Sequence, residues 1–225
     1  MSHHPPFVIT LDGPAAAGKS SVGLGAARQL DFNYFDTGLL YRVLTWLALG
    51  MGVARDDAER LAALVGELDV DVSPVGRVLR DGQDITEQLQ QPEVDAAVSA
   101  VSAHPAVRHA MRPVQRALIR PPGLVIAGRD IGTVIVPEAP LKIWLNASIE
   151  ERARRRSQQT GEDYAQVLAA MRSRDKQDAS RSVAPMRPAP DAVTLNTDGM
   201  DVEDVIGEIV SLARGRGATS TAAPH

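Results

Sequence analysis

The stretch GPAAAGKS, residues 13–20, constrains this chain more than any other. It fits the pattern G-x-x-x-x-G-K-[ST] at every fixed position. It follows a short apolar run rich in β-branched residues, FVITLD (7–12), and opens a helical stretch reaching about Leu30. A strand, a glycine-rich turn and a helix in that order form the context in which the pattern carries chemistry. Gly13 and Gly18 let the backbone curl so that successive N–H groups face an anion. The helix starting near Gly18 adds the positive end of its dipole. Lys19 reaches the β- and γ-phosphates, and the Ser20 hydroxyl is placed to ligate Mg²⁺. A chance glycine-rich turn explains the sequence match but not match and context together. The loop therefore implies a nucleoside triphosphate held by Gly13, Pro14, Ala15, Ala16, Ala17, Gly18, Lys19, Ser20 and Ser21. Ser20 is the metal ligand.

The rest of the chain alternates short strands with helices. FNYFD (32–36), LVIAG (124–128), LKIWLN (141–146) and DAVTLNT (191–197) read as further strands. Helical patterns occupy 39–53, 148–159 and 201–215. Such alternation predicts an α/β fold with a central parallel sheet of about five strands, covered by helices on both faces. Residues 68–86 break the rhythm. Their alternating pattern and the Asp81-Gly82 turn predict a small antiparallel hairpin, inserted into the core and followed by a helix around 92–103. The expected organisation is core 1–36, an insertion-bearing region 37–108, core 109–151, a short helical segment 152–161, core 162–215 and a disordered tail 216–225.

Composition excludes several classes. The 225 residues, 44% of them hydrophobic, suffice for a sizeable core. A net charge of −4 gives no support to a general nucleic-acid binder. The absence of cysteine removes disulfides and thiolate metal sites. No apolar run approaches the ~20 residues that span a membrane. The opening MSHHPPFVIT lacks a secretory apolar segment, so the expected compartment is the cytoplasm. Only three lysines occur, Lys19, Lys142 and Lys176, so arginine supplies nearly all the positive charge. Arginine's planar fork suits phosphates and carboxylates. Genome composition explains the excess but not where individual arginines sit. A guanine-specific GTPase calls for N-K-x-D, and no Asn-Lys pair exists. A motor or transporter ATPase needs a longer chain. A small phosphotransferase remains.

FDTGLLYR (35–42) ends the second strand and opens the next helix, where an acceptor would lie beside a phosphate loop. Thr37 and Arg42 are suited to an anionic phosphate, with Tyr41 beneath it. Helix capping by Asp36 or Thr37 and a core role for Tyr41 are the plain readings. They leave Arg42, on an otherwise apolar helix, unexplained. AGRDIG (127–132) poses a similar question. An acid closing a buried strand can hold a metal, form an ion pair or read a ligand. Strand order puts it at the carboxyl edge of the sheet, where α/β folds bind ligands.

Four blocks, DGPAAAGKS, FDTGLLYR, AGRDIGTVIVPEAPLKIWLNAS and RDKQDASRSVAP, stand in order at compatible spacing. Together they resemble the bacterial cytidylate kinase family of P-loop nucleoside monophosphate kinases, nearly end to end. The loop departs from many relatives in reading Gly-Lys-Ser-Ser for Gly-Lys-Gly-Thr, which keeps a hydroxyl. The resemblance implies that region 37–108, with its hairpin, is the monophosphate-binding region and that 152–161 is a mobile lid. It implies that Ser99, Arg108 and Asp130 contact cytosine. Arg42, Arg129 and Arg181 would hold the acceptor phosphate, and Arg174 and Asp178 the ribose. Lys19, Arg129 and Arg181 would be the catalytic cations. Gly128 and Gly132 would leave room for the nucleotide. The implied partners are ATP with Mg²⁺ and CMP or dCMP, acting on a monomer with neither nucleic acid nor membrane involved. Apart from the resemblance, RARRR (152–156) reads as a solvated face partnered by Glu150 and Glu151, and SRDKQDASR as a charged helix end.

The expected reaction is direct in-line transfer from ATP to CMP, and to dCMP, without a covalent intermediate. The lid and the insertion would close over the substrates and exclude water. The nearest alternative is a P-loop kinase of a small alcohol, of shikimate or gluconate type, with Asp36 as base. A third is a nucleotide-binding regulatory module without turnover. Lys19 and the arginine-rich acceptor side speak against that module.

Overall fold

A computed structural model of the chain describes residues 5–69, 71–72, 77–181 and 183–219. It divides into two compact units, a core of residues up to Tyr34 and from Arg120 onward, and an insert of Phe35–Ile119.

The core is built on a five-stranded sheet. Its strands in chain order are β1 (Phe7–Asp12), β2 (Asn33–Asp36), β6 (Gly123–Gly128), β7 (Leu141–Asn146) and β8 (Val193–Asn196), with β3 to β5 in the insert. Their order across the sheet is β2-β6-β1-β7-β8, and the pairs β1–β6, β1–β7 and β7–β8 are parallel. The two central strands read as near-continuous buried runs because both faces are covered. Ile9 and Leu11 point to one face and meet helices α1 (Lys19–Leu30) and α8 (Val202–Gly215). Val22, Ala26, Leu30, Ile206, Ile209 and Val210 close that layer. Thr10 and Asp12 point to the other face. Helices α6 (Ile149–Thr160) and α7 (Tyr164–Ala179) follow β7, and Ala153, Val167 and Met171 bury between them.

Register fixes what the sheet presents at its carboxyl edge. Asp12 lies opposite Gly128, so the loop beginning at Gly13 and the turn beginning at Arg129 leave the sheet side by side. The latter runs into a single π-helical turn, Ile131–Ile135.

The insert holds α2 (Gly38–Gly50), α3 (Ala58–Leu64), α4 (Pro92–Ala103) and α5 (Pro105–Arg116). Proline opens both α4 and α5, where its missing N–H is no loss. Asp57 caps α3 by accepting from the Arg60 N–H at 3.0 Å. Val43, Val78, Ile85 and Leu89 form the insert's small apolar cluster.

Three expectations change. The hairpin is one side of a three-stranded antiparallel sheet, β3 (Asp71–Val72), β4 (Val78–Arg80) and β5 (Gln83–Asp84). The Asp81-Gly82 turn joins β4 to β5, with both residues at positive φ as a two-residue hairpin requires. Residues 70 and 73–76 of that stretch lie outside the described residues. The second boundary falls at Ile119 and not at 108, because α5 runs unbroken through 108 and belongs with the insert. Residues 216–218, expected to open a disordered tail, pack on the core. The Arg216 guanidinium donates to the Pro140 carbonyl at 2.8 Å, and Ala218 is buried in the core cluster. Residues 220–225 of the expected tail lie outside the described residues. Sequence reading also passed over α3, α5 and most of α7.

Candidate active site

The phosphate loop is held by backbone conformation. Gly13 has φ +150°, and a Cβ there would lie 2.2 Å from the Leu145 carbonyl oxygen, so only glycine fits. Ala16 and Gly18 also take positive φ. Alternating backbone hand of this kind aims successive N–H groups inward as an anion nest. Helix α1 starts with neither a side-chain cap nor an acidic residue in its first turn, which leaves its dipole end uncompensated by charge. The Lys19 side chain is buried, and its ammonium donates to the carbonyls of Gly13 at 2.8 Å and Pro14 at 2.6 Å. Ser20 and Ser21 are exposed on the first turn of α1.

Asp12, which sequence reading passed over, closes β1 just before the loop. It is buried and accepts from the N–H groups of Ile131 at 2.8 Å and Gly132 at 2.7 Å. Burial pushes its carboxyl up to about 6, against those two hydrogen bonds and the opposing pull of Lys19, and nearby Asp130 pushes the same way as burial. The signal in the sequence was an acid ending a buried strand.

The turn after β6 carries Arg129 and Asp130. Asp130 is buried. Arg129 turns away from it, donating from Nε to Asp178 at 3.2 Å and from Nη1 to the Gly128 carbonyl at 3.3 Å. Asp178, in the last turn of α7 and itself buried, also accepts from Arg181. Arg129, Asp178 and Arg181 thus form one ionic cluster, two arginines sharing a carboxylate. Arg174 sits half-buried one turn earlier on α7. Gly132 does not leave room for a ligand as expected. A Cβ there would lie 2.9 Å from Thr10 Oγ1 and 3.3 Å from Asp12 Oδ2, so the space belongs to the protein's own clamp.

Within RARRR the structure separates one arginine from the others. Arg152 is buried and donates to the carbonyls of Ala147 at 3.1 Å and Ala15 at 3.2 Å, and to Asp175 at 2.7 Å. It ties the phosphate loop, the start of α6 and the middle of α7 together. Neither Arg152 nor Asp175 stood among the expected site residues. A run of arginines does not show which member faces inward. Arg154 and Arg155 pair with Glu151 across one helical turn, and the two guanidiniums hold the Glu151 carboxyl down to about 2. Arg155 also donates to Thr197. The first turn of the expected lid is therefore anchored to the core.

The remaining expected residues belong to the insert. Asp36 accepts from the Gly38 N–H at 2.9 Å, forming the turn that opens α2. Thr37 is buried at the N-cap, where its side chain makes no capping bond. Tyr41 is buried, with the Arg108 guanidinium 5.5 Å from its ring centre, within cation–π range. Arg108 donates to the Ser102 carbonyl at 3.1 Å, and the Ser102 hydroxyl donates to the Ser99 carbonyl at 3.2 Å. These bonds chain Ser99 to Arg108. Arg42 donates to the Leu89 carbonyl at 2.7 Å and pairs with Asp95.

The model of one protein family, described as cytidylate kinase, matches residues 9–215. The chain is 45% identical over 218 residues to the cytidylate kinase of Mycolicibacterium paratuberculosis, covering 93% of this chain and 96% of that protein. It is 44% identical over 213 residues to the cytidylate kinase of Rhodococcus jostii, covering 91% and 93%. The cytidylate kinase of Desulfitobacterium hafniense is 42% identical over 211 residues, with 91% of each chain covered. A match that runs from β1 through α8 and includes the insert spans both units at once, and the chain belongs to the cytidylate kinase family.

Proposed function

We propose that the chain transfers the γ-phosphoryl group of ATP to CMP, and also to dCMP, in one in-line step. The observation that carries this reading is the family match over residues 9–215 on a chain whose phosphate loop keeps every fixed residue.

The donor set suits ATP with Mg²⁺. The loop offers inward N–H groups, an uncompensated helix start and one buried ammonium. Among the described residues no group of three or more His, Cys, Asp or Glu could hold a metal by itself. That suits a cation arriving on nucleotide phosphates and keeping several waters, with the Ser20 hydroxyl as its protein ligand. Held there by the Ser20 hydroxyl, Mg²⁺ would supply neutralising charge for the transferring group.

The chain's own residues do the rest. Lys19 exchanges its bonds to the Gly13 and Pro14 carbonyls for the β- and γ-phosphates. Arg129 and Arg181 exchange part of their hold on Asp178 for the CMP phosphate, joined by Arg42. Arg174 and Asp178 take the ribose, and Thr37 and Tyr41 line the acceptor phosphate. No general base is required, because the second pKa of a phosphomonoester is roughly 6 and the attacking oxygen is already ionised near neutrality. Asp130 accepts from the exocyclic amine of cytosine, while Arg108 and Ser99 meet the ring acceptors N3 and O2. Uracil would turn a carbonyl oxygen toward the Asp130 carboxylate. The segment at 152–161 and the insert close over the substrates, the former moving beyond its anchored first turn, Arg152–Arg155. The alcohol-kinase alternative is not favoured, since the carboxylate of Asp36 serves the turn that opens α2. The proposal includes a monomer working in the cytoplasm. Among the described residues no helix is long and apolar enough to cross a membrane.

An ADP-formation assay across CMP, dCMP, UMP, AMP and shikimate tests the reading. CMP and dCMP are expected as the preferred acceptors. Preference for any other of the five defeats it.

A further inference from the structure

The Asp12 carboxylate spans the core from one functional turn to the other. It ends β1, and the phosphate loop starts at the next residue. Its two oxygens accept from the N–H groups of Ile131 and Gly132, the two residues that follow Arg129 and Asp130. Backbone N–H to carboxylate bonds of 2.7–2.8 Å are in the charge-assisted range. Gly132 is part of the same device. Thr10 Oγ1, Lys142 Cδ and Asp12 Oδ2 lie 2.9, 3.2 and 3.3 Å from where a Cβ would stand, so the missing side chain lets the backbone reach the carboxylate. The turn itself starts with Asp130 at φ −145° and continues as one π-helical turn, so the chain alone does not define where Arg129 and Asp130 point. On the loop side, Gly13 runs close against the Leu145 carbonyl, with no room for a Cβ.

We propose that Asp12 is a positioning residue: its carboxylate fastens the Arg129–Asp130 turn to the strand that carries the phosphate loop, and so sets the acceptor groups relative to the donor. This rests on the CMP kinase reading of the site. Transfer in line depends on that setting, and a misplacement of about 1 Å can cost roughly 10²-fold in rate. A buried carboxylate that only held the fold together would affect stability and leave the kinetics of the folded enzyme alone.

Asp12→Asn tests the distinction. The amide keeps one acceptor and turns an NH₂ toward the other backbone N–H. We expect kcat to fall roughly 10- to 100-fold and KM for CMP to rise, with KM for ATP within about two-fold of wild type. Gly132→Ala presses the same clamp from the other side and should give the same split. In the unmodified protein, the amides of Ile131 and Gly132 should be protected from hydrogen exchange as strongly as those of β1. Folded Asp12→Asn and Gly132→Ala enzymes with wild-type kcat and KM for CMP would overturn the positioning role. So would fast exchange of the two amides, a result that stands even where neither variant folds. A wild-type chain that does not phosphorylate CMP defeats the functional reading and this inference together. Wild-type CMP turnover with kinetically silent variants defeats this inference alone.

Discussion

In the proposed reading the phosphate loop and the Arg129–Asp178–Arg181 cluster solve the same problem, holding an anion, by different means. The loop spans eight consecutive residues and works through main-chain conformation, with Gly13, Ala16 and Gly18 at positive φ and a helix start behind them. The cluster on the core assembles Arg129, Asp178 and Arg181 from a strand end and a helix end 49 residues apart. Its guanidiniums are aimed by a shared carboxylate. A backbone nest is stiff because each N–H is fixed by its neighbours' dihedrals. A side-chain cluster is adjustable because each arginine can trade a protein partner for a ligand. The contrast teaches where mutation should act all-or-none and where it should act by degree.

The sharpest way to break the comparison is on the loop side. Lys19→Met removes the only buried ammonium of the loop and should lower kcat by roughly 10³-fold, the scale of losing one preorganised charge at a reacting oxyanion. Steady-state turnover measures it, and a loss below about tenfold would mean the loop amides suffice by themselves. On the acceptor side, Asp130→Asn should leave KM for ATP unchanged and lower kcat/KM for CMP relative to UMP by roughly 10- to 100-fold, less than a site built from rigid dipoles alone would show. If ATP affinity collapses while acceptor preference stays, Asp130 serves the metal side.

Stability sharpens the same contrast. Arg152→Ala strands Asp175 and two carbonyls in a buried setting and should cost about 3 kcal/mol. Arg154→Ala, exposed on the same helix, should stay within about 0.5 kcal/mol. Urea unfolding of the two variants side by side decides. Equal losses would mean the arginine run is a uniform solvated face.

The smallest effect is a slope with pH. The carboxyl of Asp12 rises from 3.8 to about 6 on folding because burial disfavours its charge. Between those values the folded state binds more protons at this site than the unfolded chain. The Asp12 contribution to stability is therefore fully present below 3.8, falls as pH rises through that window and levels off above about 6. Urea midpoints of wild type minus Asp12→Asn, measured from pH 4 to 7, should fall with rising pH. A flat or rising difference would show that the two N–H bonds outweigh burial.

Legibility followed the physics of each part. The inner strands β1 and β6 were readable because strands buried on both faces are predominantly apolar, and the shorter edge strands β2 and β8 because they fall in the alternating strand–helix rhythm. The loop was readable because its function depends on φ angles that glycine encodes locally. Asp81-Gly82 was readable for the same reason. Helices α3 and α5 escaped although their apolar residues are in phase: α3 is only seven residues long, and α5 carries a proline inside it, which reads as a helix end. Asp12 and Arg152 escaped because their roles lie in partners 119 and 137 residues away. Four arginines in RARRR are chemically alike until packing buries one of them.

By itself, then, the amino-acid sequence determined the parallel α/β core, the phosphate loop and the order of the functional blocks. Periodicity and glycine placement act over a few residues and need no partner. Only the tertiary structure decided which arginine faces inward, that Arg129 turns to Asp178 and away from its neighbour Asp130, and that Gly132 makes space for Asp12 and not for a nucleotide. Those outcomes depend on sheet register and helix phase, which bring together groups that the chain keeps far apart.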